Sequence, residues 1–254
     1  MSGRTNSKWT RVYIDGYDLS GDSRAIGPLV STFDEPDLTG FSHAVKGSLP
    51  GQAMHSIGAY NGVFNVNATT GIHDVMSGAG VMRTVMVVQG MRAEPAAGDF
   101  AYTGEFEQLG YDADPSGVYV NIPFGNSSAR GSTFLYDNPF GVLLHAKAAA
   151  TAANSTTGAG IDTAGASTAF GGYLTYMVFA GNGTATISVD DSADDSSYSA
   201  LSGATSGEID CSSVQYGRVA LGRTATVRQY LRWQISLNTA TTVTFALAFN
   251  RALR

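Results

Sequence analysis

Apolar and polar residues alternate with a period of two along "RQYLRWQISL", where Leu231, Trp233, Ile235 and Leu237 share a face. The same alternation runs along "TTVTFALAFN", where Val243, Phe245, Leu247 and Phe249 do. A period of two is the spacing of a pleated strand with one buried face, and a helix cannot satisfy it. The "NTAT" between the two runs is the length of a hairpin connection. The signature recurs upstream. "GDFAYTGEFEQLGYD" sets Phe100, Tyr102 and Phe106 against Ala101, Thr103, Glu105 and Glu107, which predicts a half-exposed strand. "SGVYVNIPFG" aligns Val118, Val120 and Ile122. The continuous apolar stretch Val85 to Val88 reads as a buried strand, and "YLTYMVFAG" and "GTATISVDDS" add two more. Near the start, "RVYIDG" sets Val12 and Ile14 against Arg11 and Tyr13, and "DGYDLSGD" breaks the run with turn residues.

Helix signals are few. "DLTGFSHAVKGSLPG" offers Thr39 as a cap, Leu38, Phe41 and Val45 as an inner face, and Gly47 or Pro50 as a stop. "GIHDVMSGAGVM" suits one helical turn. The expectation is a mainly β chain of sandwich or jelly-roll type, with two β units and one or two short helices. Residues 1–10 read as a flexible arm and 11–147 as a first β domain. The Ala/Thr/Gly-rich stretch 148–168 reads as a linker or long loop, and 169–254 as a second sandwich.

The 254 residues carry a net charge of −6 and only 14% charged side chains, against ~25% in ordinary soluble domains. A surface of small uncharged groups suits tight contact with neighbours, since few charges need desolvating. The basic residues, Arg83, Arg92, Arg130, Arg218, Arg223 and Arg228 among them, are scattered. Tight nucleic-acid binding is therefore not expected. The densest group, Arg218 to Arg232, is free to pair with acids on a neighbouring subunit. One cysteine, Cys211, excludes an intrachain disulfide. No apolar run approaches the ~20 residues that span a bilayer. "MSGRTNSKWT" lacks the apolar core of a secretory signal, so synthesis in a reducing cytoplasm is expected.

Chemistry-bearing patterns are sparse. His43, His55, His73 and His145 show no metal-ligand spacing. Asp190, Asp191, Asp194 and Asp195 cluster, yet they lack the glycine and glutamate of a calcium loop and read as a polar hairpin or loop. Glu105 and Glu107 share a strand face, as paired acids on a solvent-facing side often do. Tyr230 and Trp233 could form a sugar platform, but the leucines and isoleucine beside Trp233 point to core packing. These patterns predict neither an enzyme nor a cofactor or metal.

"VYIDGYDLSGDSRAIGPL" followed by "DEPDLTGFSHAVKGSLPG" resembles the start of tail tube proteins of long-tailed bacteriophages. "PAAGDFAYTGEFEQLGYD", "GGYLTYMVFAGNGTATISVDDSADDSSYSAL" and "RQYLRWQISLNTATTVTFALAFNR" are similar to them as well. The likeness is one of strands and turns spread over most of the chain. It implies a β-sandwich protomer forming hexameric rings, which stack into a hollow virion tube for genome passage. Its partners would then be copies of itself and other phage tail or capsid proteins. It would be made in the bacterial cytoplasm, with no membrane and no tight nucleic-acid binding. The same resemblance implies a subunit contact at the first turn, through Asp15, Gly16, Asp18, Ser20 and Gly21. Two other readings fit the composition: a trimeric cement protein on a capsid exterior, and a glycan-binding module for host attachment.

Overall fold

In the computed structural model, residues 7–33, 53–91, 93–114, 116–127, 138–151, 156–163 and 166–252 are described. The predicted helix at 37–51 and His43 lie outside them. The chain is mainly β, as the alternation requires. A 3-10 turn, Ser7–Trp9, leads into β1 (Thr10–Ile14). Then come β2 (Tyr17–Asp18), β3 (Ser23–Phe33), β4 (Ala53–Val63) and helix α1 (Ile72–Met76). They are followed by β5 (Val81–Gln89), β6 (Phe100–Gln108), β7 (Asp112–Asp114) and β8 (Tyr119–Ser127). Strands β2-β1-β5-β6 face β3-β4-β8-β7 in a first sandwich, closed on one side where β6 also pairs with β8. Val12, Ile14, Val87 and Phe106 meet Ile57, Tyr60 and Ile122 between the sheets, and Ile72 and Met76 of α1 plug one end. Tyr102 spans this core, and its hydroxyl donates to the Ser56 carbonyl at 3.0 Å.

The second sandwich holds β9 (Phe140–Ala150), β10 (Thr156–Thr157), β11 (Ile161–Asp162) and β12 (Gly172–Gly181). It continues with β13 (Thr184–Ser192), β14 (Ser199–Asp210), β15 (Gln215–Ala220), β16 (Tyr230–Ser236) and β17 (Val243–Arg251). Its antiparallel pairs are nested. β9 takes β17, β10 and β11 take β16, β12 takes β15, and β13 takes β14. This is a long hairpin rolled on itself, giving sheets β15-β12-β17-β9 and β10-β16-β13-β14, the two-sheet jelly roll. Leu174, Ile187, Leu231, Ile235, Phe245 and Leu247 fill its core.

The two sandwiches share a sheet through three residue pairs of β6 and β9, Phe100 to Tyr102 against Val142 to Phe140. Their outer faces also meet. Tyr13, Met86, Val88 and Ala101 of the first form a third core with Leu143, Met177, Ala246 and Ala248 of the second.

That contact corrects the reading of β6 as half exposed. Ala101 and Thr103 are buried, because the second sandwich covers the face that one strand's alternation leaves open. The Thr103 hydroxyl donates to Asn250 Oδ1 at 2.7 Å. "NTAT" is likewise no hairpin. β16 and β17 lie in different sheets, and Asn182 Oδ1 accepts from the Thr241 and Thr242 amides to fix the crossing. Described parts of the supposed linker are strand. Ala148 to Ala150 finish β9 opposite Phe245 to Val243, and β10 and β11 edge the second sheet. At Gly158 a small residue serves because a bulky partner presses in. A Cβ on Gly158 would lie 2.1 Å from Trp233 Nε1. The second unit thus begins at Phe140 rather than 169, and Ser7 to Thr10, read from the sequence as part of an arm, form the 3-10 turn and the first residue of β1. Val118, at φ 59 and exposed, belongs to the turn before β8 rather than to the strand.

Candidate functional site

An Asp-Gly pair in a two-residue hairpin must take positive φ at both positions. Asp15 (φ 51) and Gly16 (φ 82) do so, setting Ile14 opposite Tyr17. Asp15 then points inward and is 4% exposed. Its Oδ2 accepts from Arg83 Nη1 at 2.9 Å and its Oδ1 from the Thr84 amide at 2.8 Å. Burial pushes its pKa above the usual carboxylate range, against the pull of Arg83 and Thr84. Arg83 also donates from Nε to Gln108 Oε1.

Gly16 lies at the junction of the sandwiches. Its amide donates to Met177 Sδ at 3.3 Å, and a Cβ there would press on the Val178 and Gln215 carbonyls at 3.2 Å. Asp18 Oδ1 accepts from the amide and hydroxyl of Ser20, and its Oδ2 accepts from Lys147 Nζ of β9 at 2.7 Å. Ser20 Oγ in turn accepts from the Val12 amide. Of the five residues that sequence singled out, only Gly21 is exposed. Asp15 and Gly16 are withdrawn from any surface on which a neighbour docks. What the turn does in this chain is fasten one sandwich to the other.

Beside it a cleft of about 710 Å³ opens between the first sandwich's turn and loop Thr69–Thr70 and the second sandwich's Phe179–Gly181 and Ser212–Val214. Sequence reasoning missed Arg83, Lys147 and Phe179 as parts of this region. A lone arginine inside the apolar run "VMRTVMVV" was the available signal, since a charge in a buried strand needs a partner.

The other sequence candidates resolve as structural groups. Asp190 and Asp191 are buried strand residues of β13 rather than loop. Arg232 donates to Asp190 Oδ2 from Nε and Nη2, and the Arg228 amide donates to Asp191 Oδ2. The Arg228 guanidinium also lies 3.6 Å from Asp191 Oδ1, so both arginines have acidic partners within the chain. Asp194 is exposed and takes the Ser192 hydroxyl and the Ser196 and Ser197 amides. The Ser197 amide first, then the serines around it, hold its pKa well below the usual range. Glu107 is exposed and Glu105 half-buried on β6. Tyr230 is half-buried at the start of β16, and His55 is buried on β4. His73 Nδ1 lies 2.9 Å from the Tyr111 hydroxyl. Trp233 is half-buried and edge-on to His145 and Phe245 at 4.4 and 5.6 Å, packed against the jelly-roll core. Cys211 is buried. Among the described residues, no three His, Cys, Asp or Glu side chains gather as metal ligands, and no helix is long and apolar enough to cross a membrane.

Comparison with models of known protein families finds no match, and no curated protein is detectably similar to the chain.

Proposed function

We propose that the protein is a self-assembling structural subunit of the tail-tube kind, forming stacked rings around a passage for a viral genome. The observation that carries this reading is where the charge sits. Residues 1–139 hold 14 acids and 8 bases, the whole net charge of −6, whereas residues 140–254 hold seven of each. In a ring whose first sandwich lines the passage and whose jelly roll faces outward, the acidic unit meets the genome. A lining of that sign repels phosphates and lets DNA slide without capture.

Two further features support assembly. One end of the first sandwich exposes Val63, Val66, Val118 and Tyr119, with Val63 paired directly to Tyr119. Apolar groups gathered at one place suit coverage by another copy. Among the described residues β3 pairs with β4 alone, and the strand carries Arg24, Pro28 and a bulge between Ser23 and Ala25. These devices discourage a neighbour's strand from adding there, so the reading places ring contacts on faces and turns rather than on that strand.

A gel-shift titration with linear duplex DNA at ~0.15 M salt tests the passage. No retained complex is expected. Clear retention at micromolar protein would overturn the passage reading and indicate a subunit that grips the genome.

A further inference from the structure

The geometry points to the cleft between the sandwiches as a binding site for a neutral saccharide, a property separate from tube assembly. Its volume of about 710 Å³ lies within the range of small-ligand sites, which favour junctions between units. Tyr17 and Phe179 bring aromatic rings to the wall. Lys147 Nζ stands over the Phe179 ring and Tyr13 packs on it at 4.9 Å, so the C–H face of the sugar falls to Tyr17 and its hydroxyls to the polar neighbours.

The polar complement is rich in hydroxyls and has no net charge. Thr69, Thr70 and Ser213 line the cleft, and all three are exposed. The charged groups lining it, Asp18 and Lys147, are bonded to each other. An anionic ligand would have to sit against Asp18, and a cationic one against Lys147. A polyol meets neither penalty. Lys147 Nζ uses one proton on Asp18 and keeps two to donate, with its charge 4.8 Å from the Phe179 ring centre. Ser213 Oγ accepts from Gln215 Nε2, which leaves its own proton for a ligand oxygen.

A backbone outlier stands on the same wall. Thr69 is β-branched and sits at φ 70, held by its amide donating to Asp74 Oδ2 at 2.8 Å. A β-branched side chain in the left-handed region is uncommon, and such positions gather at binding and switch sites.

The test is a titration of the full chain with maltose, cellobiose and N,N′-diacetylchitobiose, followed by saturation-transfer NMR, with glucuronic acid and glucosamine as charged comparators. At least one neutral disaccharide should saturate in the millimolar range and bind at least ~5-fold more tightly than either charged sugar. Lys147→Ala should weaken that binding at least ~5-fold. Ala180→Trp, a change at an exposed cleft position, should abolish it with the melting temperature unchanged. No saturation by any neutral disaccharide up to ~10 mM would overturn the proposal. So would binding that survives Ala180→Trp, or a preference for a charged sugar.

Discussion

Asp15→Asn should lower the stability of the folded chain by about 3–5 kcal/mol, the usual cost of leaving one member of a buried ion pair without its partner. The substitution isolates charge from geometry. Asparagine tolerates the positive φ that Asp15 adopts, and its amide oxygen can still accept from the Thr84 amide. What disappears is the negative charge opposite Arg83, whose side chain is only 12% exposed and has little water to turn to. Urea unfolding of the wild type, D15N, Arg83→Met and the double variant measures the coupling directly. The double variant should be more stable than D15N, because the apolar methionine in place of Arg83 removes the charge that D15N leaves without its partner. Additive losses would show that the pair does not act as a unit.

Acid should act through His145. Its ring stacks on Phe245 at 4.0 Å, meets Trp233 edge-on, and shares a hydrogen bond between Nδ1 and the Phe245 carbonyl. Burial depresses its pKa to about 4, against 6.5 for the ordinary side chain, and the carbonyl offsets this only in part. The unfolded chain therefore takes up a proton near pH 6.5 that the folded chain refuses until about 4. Stability from this group is complete above pH 6.5 and is lost as pH falls through that window, by on the order of 3 kcal/mol. The variant His145→Leu keeps an apolar ring-sized filler and cannot titrate. The stability difference between wild type and H145L should shift by about 3 kcal/mol between pH 7 and pH 4. A difference that stays constant across that range would show that His145 is already solvated.

The strands were legible because period-two alternation is a local property. β5, β8, β12, β13, β16 and β17 arise where the pattern places them, and α1 forms at "IHDVM". Sheet membership was not legible. Four residues suffice both to turn a hairpin and to cross between stacked sheets, and the choice at "NTAT" depends on β9 and β13, far away in sequence. The burial of Ala101 and Thr103 depends on β17, almost 150 residues downstream. Alternation that seemed to mark a solvent face marked a second, distant partner instead. At the junction, the Asp-Gly turn was readable from its two residues. Its inward direction was not, since that follows from Arg83 on β5 and Lys147 on β9. Composition misled at 148–168 for a related reason. Ala148 to Ala150 are strand residues opposite Phe245 to Val243, and Gly158 is a connecting residue kept small against Trp233.

The central claim is that this two-sandwich chain is a protomer of a hollow assembly, and negative-stain electron microscopy of the concentrated, purified chain tests it most directly. The account predicts rings with an open centre that stack into tubes, the acidic first sandwich inward and the jelly roll outward. Particles of single-chain size at every concentration, or discrete trimers without a channel, would contradict it.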